Sequence, residues 1–175
     1  MEKKTEDAVC EKYEFREIHA EEADQVASIE TVCFPANEAC RPEIMRERVK
    51  LFPDTFLVAV RKDNGKIVGF INGLATNEVH LRDEFYTNPA LHDPEGSNVM
   101  ILGVDVLSEC RKQGIARAMM YHYLLRERER NRKYVVLTCL AGKVEMYQKF
   151  GFRDCGESGS AWGGEKWHEM VHALK

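Results

Sequence analysis

No stretch of the chain stays apolar for the ~20 residues that span a bilayer. The charged opening MEKKTEDAVCEK also lacks the apolar core and small-residue cleavage site of a secretory signal. Both absences point to a soluble, cytoplasmic protein, with residues 1–12 a flexible tail and 13–175 a single domain. Positive charge is not in excess: 25 Lys and Arg stand against 29 Asp and Glu, which gives no general attraction to nucleic acid or an anionic membrane. The 6 cysteines include no C-x-x-C pair, so reduced thiols rather than a disulfide frame are expected. Neither Gly-Lys-Ser/Thr nor G-x-G-x-x-G occurs, which removes the two commonest phosphate loops. With no repeat, low-complexity tract or linker, 175 residues of 44% apolar content make one domain around one core. A small-molecule partner and a monomer or homodimer fit that size and charge.

The local patterns alternate between strand and helix. YEFREI (13–18) alternates as a half-buried strand does, and 20–33 has helical spacing. Pro42 opens a second helix that Pro53 closes. TFLVAVR and KIVGFINGLA are β-rich and meet at Asp63-Asn64-Gly65, which is hairpin chemistry. Residues 76–97 carry Asn88-Pro89, Asp93-Pro94 and Gly96 and read as a long loop. VMILGVDVL (99–107) is a strand apolar on both faces apart from Asp105, and 112–130 is an amphipathic helix. YVVLTC, VEMYQKF and two strands around FRDCGE and WHEMVHAL complete the order β-α-α-β-β-β-α-β-α-β-β. The strands flanking the long helix can run parallel through a right-handed crossover. The expected class is α/β, a mixed and mostly antiparallel sheet of about seven strands with helices on both faces.

The chemistry concentrates at LSECRKQGIARA (107–118), where a buried strand passes directly into a helix. Small residues at Gly114 and Ala116 let backbone approach a ligand, and the first-turn N–H groups form an anion site. Arg111, Lys112 and Arg117 add positive charge. The R-x-x-G-x-A spacing resembles the acetyl-CoA loop of the GCN5-related N-acetyltransferase (GNAT) superfamily. YQKFGF (147–152) lies where that superfamily carries a Tyr followed by Gly-Phe. Within the superfamily the chain is most similar to arylalkylamine (serotonin-type) N-acetyltransferases, in CFPANEAC, YQKFGF and WHEM. Animal members of that subgroup have two histidines in the strand before the loop; the corresponding positions here are Met100 and Leu102.

The resemblance implies acetyl transfer from acetyl-CoA to a primary amine by direct attack in a ternary complex, with no metal. Val104, Asp105 and Val106 would align the pantetheine arm, and Arg111, Lys112, Gln113, Gly114, Ile115, Ala116 and Arg117 would hold the diphosphate. Tyr147, a phenol with a reference pKa of about 10, would protonate the departing thiolate. With the paired histidines missing, the base stays open among Glu78, His80, Asp105 and a water wire. Phe34, Phe85 and Trp162 are candidates to line an aromatic amine pocket. An arylalkylamine- or polyamine-like acceptor leads; a protein or peptide amine, or a non-catalytic CoA-binding sensor, are the alternatives.

WHEMVH also matches the zinc signature H-E-x-x-H, which works only on a helix. Read as the last strand, it sets His168 and His172 about 13 Å apart at ~3.3 Å per residue, too far to share one ion.

Overall fold

The computed structural model describes residues 2–175, with side chains from Glu6 onward. The charged opening, expected to be a flexible tail, is described as a helix, α1 (Glu2–Lys12). Its Glu, Lys and Ala content favours helix, and Val9 is buried against the core. Strand β1 (Tyr13–Glu17) follows, then helices α2 (Ala23–Cys33) and α3 (Pro42–Leu51), the latter opening on its proline. Strands β2 (Phe56–Arg61) and β3 (Ile67–Thr76) form the expected hairpin, with Gly65 at φ +70 in its turn. The loop after β3 holds one short helix, α4 (Glu84–Thr87). Strand β4 (Asn98–Val106), helix α5 (Ile115–Glu129) and strand β5 (Tyr134–Cys139) form the parallel crossover unit. Helix α6 (Val144–Lys149), β6 (Arg153–Glu157) and β7 (His168–Ala173) close the chain.

All strands join one seven-stranded sheet in the order β1-β2-β3-β4-β5-β7-β6, antiparallel except for β4 and β5. Its two faces are covered separately. Val99, Val106, Val135 and Leu137 pack with Met119 and Tyr123 of α5 on one side. Val58, Phe56 and Phe70 pack with Val26, Ile29, Met45 and Val49 of α2 and α3 on the other.

Two irregularities position the site. The β3–β4 register passes from Asn72↔Gly103 to Gly73↔Ile101, so Leu102 is an extra residue bulged out of the ladder. In addition, β4 pairs with β5 only from Asn98 to Met100. Beyond that point β5 bonds to β7 and β4 to β3, and the two facing edges separate. A fixed backbone contact holds the junction: a Cβ at Gly96 would sit 2.4 Å from the Thr76 nitrogen, so only glycine fits there. Arg132 donates to the Gly96 carbonyl and pairs with buried Glu127, tying the end of α5 to the start of β4.

Candidate active site

The separation of β4 from β5 opens a cleft of about 670 Å³. Its walls are the free edge of β4 from Ile101 to Val106, Leu137 to Leu140 after the β5 divergence, the start of α5, and α6. Unpaired strand edges present N–H and C=O groups to whatever lies between them, as an added strand would require. Gly103 and Val104 are the half-exposed residues of an otherwise buried β4.

At one end of the cleft the chain turns through Lys112 (φ +62) and Gly114 (φ +84) into α5. A lysine in the left-handed region costs of order 1 kcal/mol, a strain that collects at ligand-binding turns. The first intrahelical bond runs from Ala118 N–H to the Gly114 carbonyl, so the N–H groups of Ile115 and Ala116 precede the helical ladder. Glycine at the N-cap supplies no capping side chain, which leaves this helix end suited to an anion. Arg111 donates from Nε to the Val106 carbonyl (3.0 Å), bracing the turn against β4.

Across the cleft from β4 stands Tyr147 of α6, buried between Phe150 and Phe152. Burial, and then the neighbouring Cys139 and Asp105, raise its pKa further, so it stays a proton donor throughout the neutral range. Burial also pushes the Cys40 and Cys139 thiols up to about 11, and all six cysteines are free. Unionised thiols at those two positions are poor nucleophiles.

On the α2/α3 side the cleft floor is polar. Asp105 is 1% exposed, and neither of its carboxylate oxygens has a hydrogen-bond partner. Burial and the Glu30 carboxylate raise its pKa well above the usual carboxylate range. Glu30 accepts from the Cys40 N–H at 3.2 Å through Oε1, while Oε2 is unpartnered. Arg48, equally buried, donates to the Tyr86 carbonyl at 2.7 Å and leaves Nε unpartnered. Tyr86 stacks on Trp162 (4.7 Å) and hydrogen bonds to Thr138 of β5 (3.0 Å). Phe34 and Trp167 extend this aromatic wall.

Two loops meet over that wall. The α2–α3 loop receives the Trp162 indole N–H at the Glu38 carbonyl (2.9 Å), and Asn37 donates to the Gly163 carbonyl (2.9 Å). Asp83 binds Ser160 and the Ala161 N–H from the third side.

Of the residues singled out from sequence, Val104, Asp105, Val106, Arg111, Lys112, Gly114, Ile115, Ala116, Arg117, Tyr147, Phe34 and Trp162 line this one cleft. Gln113 does not; its side chain accepts from the Tyr13 hydroxyl at 3.0 Å. Glu78 lies outside it, exposed and held by Arg82 at 2.7 and 2.9 Å. The Arg82 hydrogen bond draws the Glu78 pKa down, which makes it a poorer base. His80 also lies outside, bonded to Glu169 of β7 at 2.8 Å, and Phe85 is fully buried in the core with Met100. Sequence reading missed Glu30, Arg48 and Tyr86. An acid and an arginine at buried helical positions were the available signal, but each looks like a solvated face until the helix is placed on the sheet. HEMVH lies in β7, as read, with His168 beside Asp154 and His172 on the Gly151 carbonyl.

Residues 23–152 match the model of a family described as Acetyltransferase (GNAT) family. The chain belongs to the GNAT acetyltransferase family. It is an acetyl-CoA-dependent acyltransferase. Solved GNAT folds superpose over nearly the whole chain. The loading GNATL domain of CurA from Lyngbya majuscula gives a TM-score of 0.79 at 17% identity, covering 93% of this chain and 98% of that one. The GphF GNAT-like decarboxylase, in complex with isobutyryl-CoA, gives 0.76 at 18% identity, with 93% and 100% covered. The ribosomal-protein-S18-alanine N-acetyltransferase from Escherichia coli gives 0.66 at 13% identity, with 93% and 94% covered. Within the GNAT fold of this chain, the Leu102 bulge, the open β4 edge and the Gly114 turn fit an acyl thioester with a diphosphate tail. Among the described residues no helix is long and apolar enough to cross a membrane.

Proposed function

We propose that the protein transfers the acetyl group of acetyl-CoA to the primary amine of a small, aromatic-bearing molecule. The observation that carries this reading is one continuous cleft in which buried Asp105 and Glu30 and the protonated Tyr147 occupy opposite walls. In this reading the diphosphate is held by the first-turn N–H groups of α5 with Lys112 and Arg117, and the pantetheine lies along Val104 to Val106. The acceptor nitrogen attacks the thioester carbonyl, forming the C–N bond as the C–S bond breaks. Asp105 takes a proton from the nitrogen, and Tyr147 gives one to the departing sulfur. Asp105 replaces Glu78 as base because it faces the cleft and its raised pKa makes its carboxylate, once formed, the stronger base of the two.

Two features support a small aromatic amine over a peptide. The clasp between Asn37–Glu38 and Trp162–Gly163 bridges the acceptor end, where a protein segment would need an open groove. Phe34, Tyr86, Trp162 and Trp167 offer flat apolar faces beside the acids, which suits an aryl ring joined to an amine. The same acids oppose an acyl group that carries its own carboxylate, which sets this cleft against decarboxylation of such thioesters. The test is CoA release with acetyl-CoA across arylalkylamines, polyamines and peptides. Arylalkylamines should give the highest kcat/KM; a peptide preferred over all small amines would overturn the acceptor assignment.

A further inference from the structure

Two carboxyl groups come together in the packed floor beside Gly103. Asp105 Oδ1 and Glu30 Oε2 lie 3.2 and 3.7 Å from the position a Cβ on Gly103 would occupy. The two residues are 1% and 4% exposed, and neither atom receives a hydrogen bond from an amide, hydroxyl or cationic group; nor does Asp105 Oδ2. Asn72, opposite Gly103 in the β3–β4 ladder, adds a buried amide that can donate or accept. Two ionised carboxylates so placed would repel each other where screening is weak. The surroundings do not neutralise both. Glu30 and Cys33 from α2, Cys40 from the α2–α3 loop, Tyr86 from α4 and Tyr147 from α6 are acids or neutral groups. Arg48 from α3 is the buried cation among them, and its Nη2 donates to the Tyr86 carbonyl. One proton on the carboxyl pair leaves this floor neutral, and none leaves it an excess negative charge.

We propose that Asp105 and Glu30 hold one proton between them, Asp105 donating it to Glu30 Oε2, and that Glu30 is a positioning residue whose charge keeps that proton on Asp105. The shared proton supplies the donor these oxygens otherwise lack, in a charge-assisted O–H···O⁻ bond. Burial first, and then the Glu30 carboxylate, raise the Asp105 pKa well above the usual range, as a one-proton pair requires. The proposal deepens the reading of Asp105 as the base, and only its kinetic part rests on that reading. Once Asp105 has lost its proton, the adjoining Glu30 charge makes it a stronger base than burial alone would. Glu30 thus acts on the reaction through Asp105, without touching a substrate. Two groups that interact this strongly titrate as a unit, so both carboxyls should report a single midpoint.

Carboxyl carbon NMR on protein labelled with ¹³C at its aspartate and glutamate side chains tests this, with Asp105→Asn identifying the Asp105 signal and Glu30→Gln the Glu30 signal. In the wild type the Asp105 signal should stay that of a protonated acid through neutral pH, and the Glu30 signal should move at the same midpoint. In Glu30→Gln the Asp105 midpoint should fall by about one pH unit or more, because the neighbouring negative charge is gone. The acid limb of kcat with 2-phenylethylamine should move down by the same amount, with acetyl-CoA affinity unchanged. A merely structural Glu30 would lower kcat at every pH and leave the limb in place. An Asp105 signal that titrates in the ordinary carboxylate range, or one whose midpoint is unmoved in folded Glu30→Gln, would overturn the proposal. Should Glu30→Gln fail to fold, the wild type decides: a titrating Asp105 with no glutamate signal following it overturns the pair. A wild type that shows the shared midpoint yet acetylates no amine would sink the acetyltransferase reading and leave the pair standing.

Discussion

Asp105 is surrounded by Glu30 and Cys33 from α2, Arg48 from α3 and Tyr147 from α6, and burial makes its charged form expensive. Its carboxyl pKa is higher folded than unfolded. The protonated acid therefore costs nothing below the unfolded value, and stability is lost as pH rises from there toward the folded value. Asp105→Asn should raise the melting temperature at pH 8, by an amount that shrinks steadily toward pH 4; thermal melts across that range check it. In the proposed reaction the same group must be ionised to accept a proton. The wild-type kcat should fall on the acid side with an apparent pKa above the ordinary carboxylate range, and Asp105→Asn should lower kcat and remove that limb. Tyr147→Phe removes the proposed donor to sulfur and should lower kcat by about 10²-fold with little change in acetyl-CoA affinity. Tyr147 was legible because it stands in a pattern, YQKFGF, after a strand and a helix. Glu30 and Arg48 were not, because what marks them is burial, set by how α2 and α3 dock on the sheet.

The decisive element is the passage from β4 through Gly114 into α5. A continuous apolar run, a glycine and an amphipathic stretch follow one another there, so local sequence and tertiary structure agree. Gly114→Val places a β-branched residue at φ +84 and should weaken acetyl-CoA binding at least about tenfold, measured by titration calorimetry. The fold should survive, because the strain falls on an exposed turn outside the core. Gly96 behaves differently: its backbone lies against Thr76, and Gly96→Ala should lower stability by about 1–3 kcal/mol, read by urea unfolding. Local signals failed where an element depends on distant partners. The charged opening reads as a tail, yet Val9 finds a core site, and Glu78 reads as a cleft acid, yet its loop turns it toward Arg82. Gln113 sits inside the loop motif with its side chain turned to Tyr13 of β1, a contact that loop spacing cannot anticipate.

At the scale of the whole molecule, the order of elements along the chain, the one parallel pair and the helices on both faces follow from the pattern of periodicities. The parting of β4 from β5 does not, since both strands read as continuous and the change of partner depends on β7 inserting beside β5. That parting converts an ordinary mixed sheet into a cleft lined by a helix end suited to an anion, a buried tyrosine and a pair of buried acids. The loop clasp joins segments 124 and 126 residues apart in sequence and gives the cleft its enclosed acceptor end. The central claim, acetyl transfer to a primary amine in this cleft, is tested most directly by CoA thiol release from acetyl-CoA with and without 2-phenylethylamine. The account predicts amine-dependent release matched one for one by N-acetyl product and strongly slowed in Tyr147→Phe. Tight acetyl-CoA binding with release that no primary amine accelerates would contradict it and leave the protein a CoA-binding sensor.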